Sequence, residues 1–232
     1  MSMTGAAVAL VALSGSVMAS GPVFQNGSFE TGNYVPTYAG QDYERLANGS
    51  TAIDGWTVTK GNVDWTASGI WQAADGSKSI DLDGAENTAG AISQTFDTVV
   101  NGTYVVTFSM SGNPGNPDVS PNKTMSVGAA DASQAFSYNT DTNHTTFADM
   151  KWVPQTFTFQ AKSTQTTLTF TSTTGSGWGP ALDDVKIVQT LATGANCKNS
   201  GWKTMVDSAG TSFRNQGDCV RYYATGEKNL AN

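Results

Sequence analysis

Apolar and polar residues alternate along this chain with the period of two that a half-buried β-strand shows. The clearest alternation occurs in residues 103–110, 155–161 and 166–172. The apolar positions of the first of these segments are Tyr104, Val106, Phe108 and Met110. Each segment is therefore expected to place one face in a core and the other in solvent.

Shorter runs of the same kind bring the expected number of strands to eight or more, and turn-forming sequences separate them. The strongest turns are "NPGNPD" at residues 113–118 and "GSGWGP" at residues 175–180, because Gly, Pro, Asn and Asp favour the backbone angles of turns. The pattern predicts an all-β sandwich over residues 22–190. After Gln189 the strand pattern stops, so residues 191–232 are expected to form a linker and a separate C-terminal appendage.

The N-terminus resembles a secretory signal. An apolar run, "AAVALVAL", covers residues 6–13, and small residues precede a cleavage point after Ala19. We expect residues 1–19 to be a signal peptide and the mature chain to be secreted and extracellular. The alternative is an apolar N-terminal strand. The run is too short to span a bilayer, which needs about 20 residues.

Composition and charge exclude some classes of partner and favour others. The 232 residues carry a net charge of −7, which opposes binding to nucleic acid because a phosphate backbone requires basic residues. The two cysteines, Cys197 and Cys219, are expected to form a disulfide with each other, since an exported chain is oxidised and no third cysteine competes.

An enzymatic function is not expected. A glycosidase needs two carboxylates about 5 to 10 Å apart, and acidic pairs occur at Asp81 and Asp83 and at Asp183 and Asp184. The first pair alternates on one side of a predicted strand, which indicates an ordinary solvent-facing surface. His144 is the only histidine, with no neighbouring cysteine to share a metal.

Several motifs lie in the same order along the chain. These are "NGSFE" (26–30), "GWTV" (55–58), "DGSKSIDLDG" (75–84), "ISQTF" (92–96), "GTYVVTFSMSGNP" (102–114) and "LDDVKI" (182–187). Together they resemble the choice-of-anchor C family of exported bacterial proteins, which is similar to the plant cell-wall proteins of domain-of-unknown-function family 642. The resemblance implies a galactose-binding-like jelly roll, and more distantly a carbohydrate-binding module.

The same resemblance implies a structural calcium ion where the first and last strands meet. Ca²⁺ takes six to eight oxygen ligands. The residues that match the family's ligands are Ser28 and Lys78 by their carbonyl oxygens, and Glu30, Asp75 and Asp184 by their side chains. Asp184 is preferred to Asp183 because alternation lets only one of the two face the site. The alternative is that these carboxylates are solvated by water.

Six tryptophans are available for ligand contact. Exposed indole rings stack on sugar rings, and nearby polar side chains bind the hydroxyl groups. Trp178 lies between glycines in a predicted loop, and Trp65 and Trp71 flank the polar segment "TASGI". We expect these three to contact the ligand, whereas Trp56, at the start of a strand, is expected to lie in the core.

The C-terminal appendage resembles a short cysteine-containing tail of exported bacterial proteins, from "CKNSGW" to "FRNQGDCV". Taken together, the sequence predicts a secreted, non-catalytic carbohydrate-binding module for a cell-wall or matrix polysaccharide, stabilised by calcium. The alternative is a structural or adhesive surface protein that binds another protein.

Overall fold

A computed structural model describes residues 23–85, 88–190, 197, 198, 200–203, 205, 207 and 211–225. The predicted signal peptide lies outside these residues. Over the sandwich region the described chain forms eleven strands, all paired antiparallel. They are β1 (Tyr43–Ala47), β2 (Thr57–Lys60), β3 (Asn62–Ala67), β4 (Lys78–Asp81), β5 (Ala91–Asp97), β6 (Thr103–Gly112), β7 (Asn122–Ala129), β8 (Ala132–Asn139), β9 (Val153–Gln160), β10 (Gln165–Ser172) and β11 (Pro180–Thr190).

The strands form two sheets, which confirms the predicted sandwich. One sheet has six strands in the order β1-β3-β4-β11-β6-β9, and the other has five in the order β2-β5-β10-β7-β8. Neighbouring strands are often distant in sequence, as in a jelly roll. The last strand, β11, lies between β4 and β6, so the end of the domain is held in the middle of a sheet.

The core lies between the two sheets and includes the residues that the alternation predicted in β6, β9 and β10. Val106, Phe108 and Met110 of β6 are buried, and so are Phe157 of β9 and Phe170 of β10. Thr and Ser occupy the outward positions of β10 and β7, where β-branched and small polar residues suit a solvated sheet surface. The fold therefore follows the hydrophobic pattern of its strands.

Loops cover the middle of the outer face of the six-stranded sheet. A second small core forms there from Trp71, Met150 and Ala181, which are buried. The Ser111 hydroxyl donates to the Met150 carbonyl, and Trp152 Nε1 donates to the Gln72 carbonyl at 2.9 Å. Outward-facing residues of the central strands are consequently buried under segments 68–77 and 140–152.

The C-terminal appendage contains a 3₁₀-helix at Gly201–Lys203 and the helix α1 (Gln216–Ala224). Asn215 caps α1, since its side chain accepts from the Asp218 N–H. The predicted Cys197–Cys219 disulfide is confirmed, with Cα atoms 5.8 Å apart. Both cysteines are buried with Phe213 and Tyr222, so the disulfide is part of a small separate core. In a segment this small, a covalent link replaces apolar area that the chain does not have.

Candidate functional site

Two of the three predicted ligand-binding tryptophans are buried, so the expectation that they are exposed is wrong. Trp65 is 0% exposed and Trp71 is 2% exposed. The indole N–H of Trp65 donates to the Phe29 carbonyl at 2.9 Å, and that of Trp71 donates to Ser79 Oγ at 2.7 Å. Trp56 is buried in the main core as predicted. The rings of Trp65 and Trp71 have no free face for a ligand because one packs between the sheets and the other under the covering loops.

Trp178 is different, since it lies in the loop between β10 and β11 and is only partly buried. Its indole packs against the backbone of Gly115. A Cβ atom built on Gly115 would lie 2.9 Å from Trp178 Cδ1 and Nε1, so the loop between β6 and β7 needs glycine at this point. Trp178 therefore lies at the loop end of the sandwich, beside segment 113–121.

The residues predicted to bind calcium converge in part. The Glu30 carboxylate accepts from the backbone N–H groups of Ser77 and Lys78, both at 2.7 Å, and from Ser77 Oγ at 2.8 Å. The Asp183 carboxylate accepts from the N–H groups of Ala74 and Asp75, at 2.7 and 3.0 Å. One carboxylate near the start of the domain and one near its end thus hold the same turn, residues 74–78.

Asp183, and not the preferred Asp184, accepts hydrogen bonds from this turn. β11 contains a register shift between Asp183 and Lys186, and Asp184 has a positive φ of 51°. This irregularity directs Asp183 towards the turn, whereas Asp184 pairs with Lys186 at 2.6 Å.

The side chains at this turn supply only part of a calcium site. The Glu30 and Asp183 carboxylates already accept three N–H or O–H groups each. Among the described residues, no group of three or more His, Cys, Asp or Glu side chains is placed to hold a metal. An ion would need carbonyl oxygens, such as those of Ser28, Asp75 and Lys78, for most of its six to eight ligands. Calcium binding here stays a prediction.

A cavity of about 200 Å³ opens at the loop end of the sandwich, between segment 113–121 and the start of segment 140–152. We call it the loop-end pocket. Its lining combines three prolines, four uncharged polar residues, one valine and two charged residues. These are Pro114, Pro117, Pro121, Asn113, Asn116, Thr140, Thr145, Val119, Lys123 and Asp141. A concave site with several converging polar groups is the usual form of a small-molecule site.

Two buried aspartates hold loops at this end of the sandwich, which corrects the expectation that Asp81 and Asp83 face solvent. Asp81 accepts from Asn113 Nδ2 at 2.8 Å and from the Gly179 N–H at 3.1 Å. Asp83 accepts from the N–H groups of Gly175 and Ser176, at 2.7 and 3.1 Å. The two carboxylates therefore tie both loops to the end of β4.

Burial dominates the electrostatics of this region. It raises the pKa of Asp81 to about 8, although the hydrogen bonds from Asn113 and Asp83 act in the opposite direction. Burial lowers the pKa of Lys123, while the negative charges of Asp81, Asp83 and Asp141 oppose that change. Asp83 is fully buried, and its Oδ1 has no hydrogen-bond partner within the described chain. The carboxyl groups of Asp81 and Asp83 are thus shielded from water, and their hydrogen bonds compensate only part of that burial.

The arrangement suits binding better than catalysis. Asp81 and Asp83 do not line the loop-end pocket, and their oxygens are directed to backbone and amide donors. A pair of carboxylates that acts on a glycosidic bond must reach both sides of it. The pocket itself offers one ammonium, one carboxylate, amides and hydroxyls, which together bind polar groups.

Sequence reasoning missed Lys123, Asn113 and Asp141 as site residues. A signal for Lys123 is present, because it lies in phase with the buried Met125 and Val127 along β7. A lysine at an inward position of an alternating strand is unusual, since lysine is almost never fully buried unless paired. Asn113 and Asp141 lie in turns, where the same residue types occur for local reasons.

The profile of DUF642, described as a protein of unknown function, matches residues 22–188. Halomucin of Haloquadratum walsbyi is 37% identical over 183 residues, which is 77% of this chain. The chain spans about 2% of the length of halomucin.

Solved structures with a similar arrangement include carbohydrate-binding modules. The module TmCBM61, in complex with β-1,4-galactotriose, is 16% identical with a TM-score of 0.43, and the match covers 74% of this chain and all of that one. A family 35 module from Clostridium thermocellum is 12% identical with a TM-score of 0.42, covering 63% of this chain and 99% of that one.

Proposed function

The chain belongs to the DUF642 family, and we propose that its β-sandwich is a secreted, non-catalytic module that binds carbohydrate of a cell wall or matrix. The observation that carries this proposal is the loop-end pocket with its polar lining, together with the partly exposed ring of Trp178, which lies against Gly115 in the loop that forms one wall of the pocket. An aromatic ring next to amides, hydroxyls and charged groups is the combination that sugar rings require. The narrower relation to the choice-of-anchor C proteins stays a prediction.

Export is part of the proposal. A disulfide persists in oxidising compartments and is rare in the cytosol, and Cys197 and Cys219 form one. Within the described residues, no helix is both long enough and apolar enough to cross a membrane. The disulfide supports an extracellular polysaccharide as the partner that we propose, and no observation on the described residues favours the alternative of adhesion to a protein.

Trp178→Ala is expected to weaken glycan binding by about 1 to 3 kcal/mol, because it removes the exposed indole at the loop end. The melting temperature should change little, since the ring is only partly buried. The measurement pairs affinity-gel retardation on soluble glycans with a thermal melt of the same protein. Full retention of binding by Trp178→Ala would place the contact surface elsewhere, and no binding of any glycan by the parent protein would remove the proposed function.

We further propose that one structural calcium ion binds at the turn 74–78. A ligand bound only to the folded state adds RT ln(1 + [L]/Kd) to stability, so calcium should raise the melting temperature and a chelator should lower it. Glu30→Gln should abolish that response. Asp97→Asn, an exposed carboxylate on β5, is the matched control and should leave the response intact.

The same measurement distinguishes calcium binding from a purely hydrogen-bonded turn. Glu30→Gln removes acceptor capacity for the Ser77 and Lys78 N–H groups. If Glu30 only caps the turn, the variant melts lower than the parent by the same amount with calcium and with chelator. That result, together with a parent protein whose melting ignores calcium, would contradict the metal site.

A further inference from the structure

Lys123 is a buried lysine whose ammonium group has no partner in the part of the chain that the structure describes. Its side chain is 1% exposed, and none of the ion pairs or hydrogen bonds among the described residues involves its Nζ atom. Lys123 Nζ is not among the fully buried polar atoms that lack a partner, so the ammonium keeps contact with the loop-end pocket that the residue lines. The three N–H donors of this ammonium are therefore available to a ligand.

The backbone of β6 directs this side chain to the loop-end pocket. Lys123 occupies the first inward-facing position of β7, and its stem packs on Gly112. A Cβ atom built on Gly112 would lie only 2.6 Å from Lys123 Cγ, so glycine leaves the room that the lysine stem occupies. The side chain contributes to the pocket lining.

Nearby carboxylates oppose the effect of burial on the pKa of Lys123, although no ion pair among the described residues joins any of them to it. Asp81, Asp83 and Asp141 all act to raise its pKa against the effect of burial. Asp81 and Asp83 are engaged by backbone and amide donors of the two loops. Asp141 is exposed and lines the pocket with Lys123, so it is the acceptor that a ligand in the pocket meets.

The charges of the pocket favour a neutral ligand. Among its lining residues only Lys123 and Asp141 are charged, and their charges cancel. An ammonium donates hydrogen bonds and a carboxylate accepts them, whereas a hydroxyl group does both. Two neighbouring hydroxyl groups of a sugar ring satisfy this pair, because one accepts from Lys123 while the other donates to Asp141.

The size of the pocket limits how much of a glycan it holds. Its volume of about 200 Å³ is below the roughly 300 to 1,000 Å³ of sites for drug-sized ligands. Pro114, Pro117 and Pro121 form part of the wall, and proline fixes its own φ angle, so the wall is stiff. A stiff small pocket holds one ring, whereas an internal stretch of polysaccharide needs a groove open at both ends.

We propose that the loop-end pocket binds a single neutral sugar residue, at a chain end or a side branch, with Lys123 donating to one hydroxyl group and Asp141 accepting from its neighbour. This inference rests on the proposed carbohydrate binding and adds to it the kind of residue recognised. It also identifies Lys123 as a residue that recognises the sugar, whereas Trp178 contacts the ligand from outside the pocket.

The test measures the binding of the full-length protein to neutral oligosaccharides of two to six residues from mannan, galactan, xylan and β-glucan, with oligogalacturonates alongside. For the glycan that binds, we expect the affinity to stay constant from two to six residues. Lys123→Met, which keeps the apolar stem, should weaken binding by about tenfold to a hundredfold. Asp141→Asn should weaken it by about three- to tenfold, and the exposed Lys162→Met control, from the opposite end of the sandwich, should bind like the parent.

Three results would overturn the inference while leaving the proposed function intact. They are an affinity that rises with each added residue, a preference for galacturonate, and full binding by a folded Lys123→Met variant. If Lys123→Met does not fold, the glycan binding of Asp141→Asn decides the test. The Asp141 side chain is exposed, so this substitution does not disturb the core. A parent protein that binds no glycan overturns the proposed function, and this inference with it.

Discussion

Trp65→Ala is expected to lower the free energy of unfolding by about 3 to 5 kcal/mol, the range for a large aromatic residue truncated in a core. The Trp65 ring is enclosed between the sheets and contacts Tyr34 edge to face, with ring centroids 5.1 Å apart. Its loss also leaves the Phe29 carbonyl without the hydrogen bond from Nε1. Trp56→Ala should have a similar effect, since Trp56 packs against Phe29 and Phe170.

Urea unfolding of Trp65→Ala, Trp56→Ala and Trp178→Ala separates the structural tryptophans from the binding one. The first two variants should unfold at much lower denaturant concentration than the parent, and Trp178→Ala should unfold near it. A Trp65→Ala protein with parental stability and lost glycan binding would contradict the buried position of this ring. It would also restore Trp65 as a ligand contact.

Stability is expected to fall as the pH rises from about 4 to about 8. Burial raises the pKa of Asp64 to about 6, of Asp183 to about 7 and of Asp81 to about 8. The unfolded chain ionises these groups near pH 3.9, so between that pH and the folded-state pKa the folded protein holds more protons. Unfolding then releases protons, and a higher pH favours it.

The expected size of this effect is large. Each of the three carboxyl groups removes about 1.4 kcal/mol of stability per pH unit within its own window. For Asp81, which is 2% exposed, the window spans about four units and corresponds to a loss on the order of 5 kcal/mol. The loss should be complete above about pH 9, one unit above the folded-state pKa of Asp81, where all three groups are ionised in both states.

Urea unfolding at pH 5, 7 and 9 checks this prediction. Asp81→Asn cannot ionise at this position, so its stability should vary less between pH 6 and 8 than that of the parent. The informative quantity is the change in the free energy of unfolding with pH. The Asp81→Asn variant will be less stable than the parent at every pH, because its amide faces the three N–H donors that the carboxyl group accepts from. Asp118→Asn, at an exposed position in the same loop region, is the control. A parent stability that is constant or rises from pH 5 to 8 would show that these groups ionise normally.

Much of the fold follows from patterns within short segments of the chain, so the sequence alone predicts it. The alternation in β6, β9 and β10 identifies the buried residues without knowledge of the partner strands, because side chains of successive residues in a strand point to opposite faces. The disulfide was predictable for a different reason, since only two cysteines were present. The DUF642 relationship was likewise visible in motifs that keep their order along the chain.

The alternation could not predict which residues on the outer face of a strand are buried under a loop. Asp81 lies on the outer face of β4, where alternation predicts solvent, yet Asn113 and Gly179, from two different loops, close over it and donate to its carboxylate. Trp71 is buried by residues near Met150, about 80 positions along the chain. Periodicity reports the two faces of a strand but not whether a distant loop packs on one of them.

The same division applies to the candidate site. The sequence by itself determined the sandwich, the core positions of β6, β9 and β10, the loop that carries Trp178, and the cysteine pair, because each depends on local periodicity, turn chemistry or a count. Only the tertiary structure decided that Asp183 rather than Asp184 holds the turn 74–78, and that Lys123 and Asp141 line one pocket. A single bulge in β11 reverses which aspartate faces inward, and the pocket exists only where two loops, about 20 residues apart in the chain, meet at one end of the sandwich.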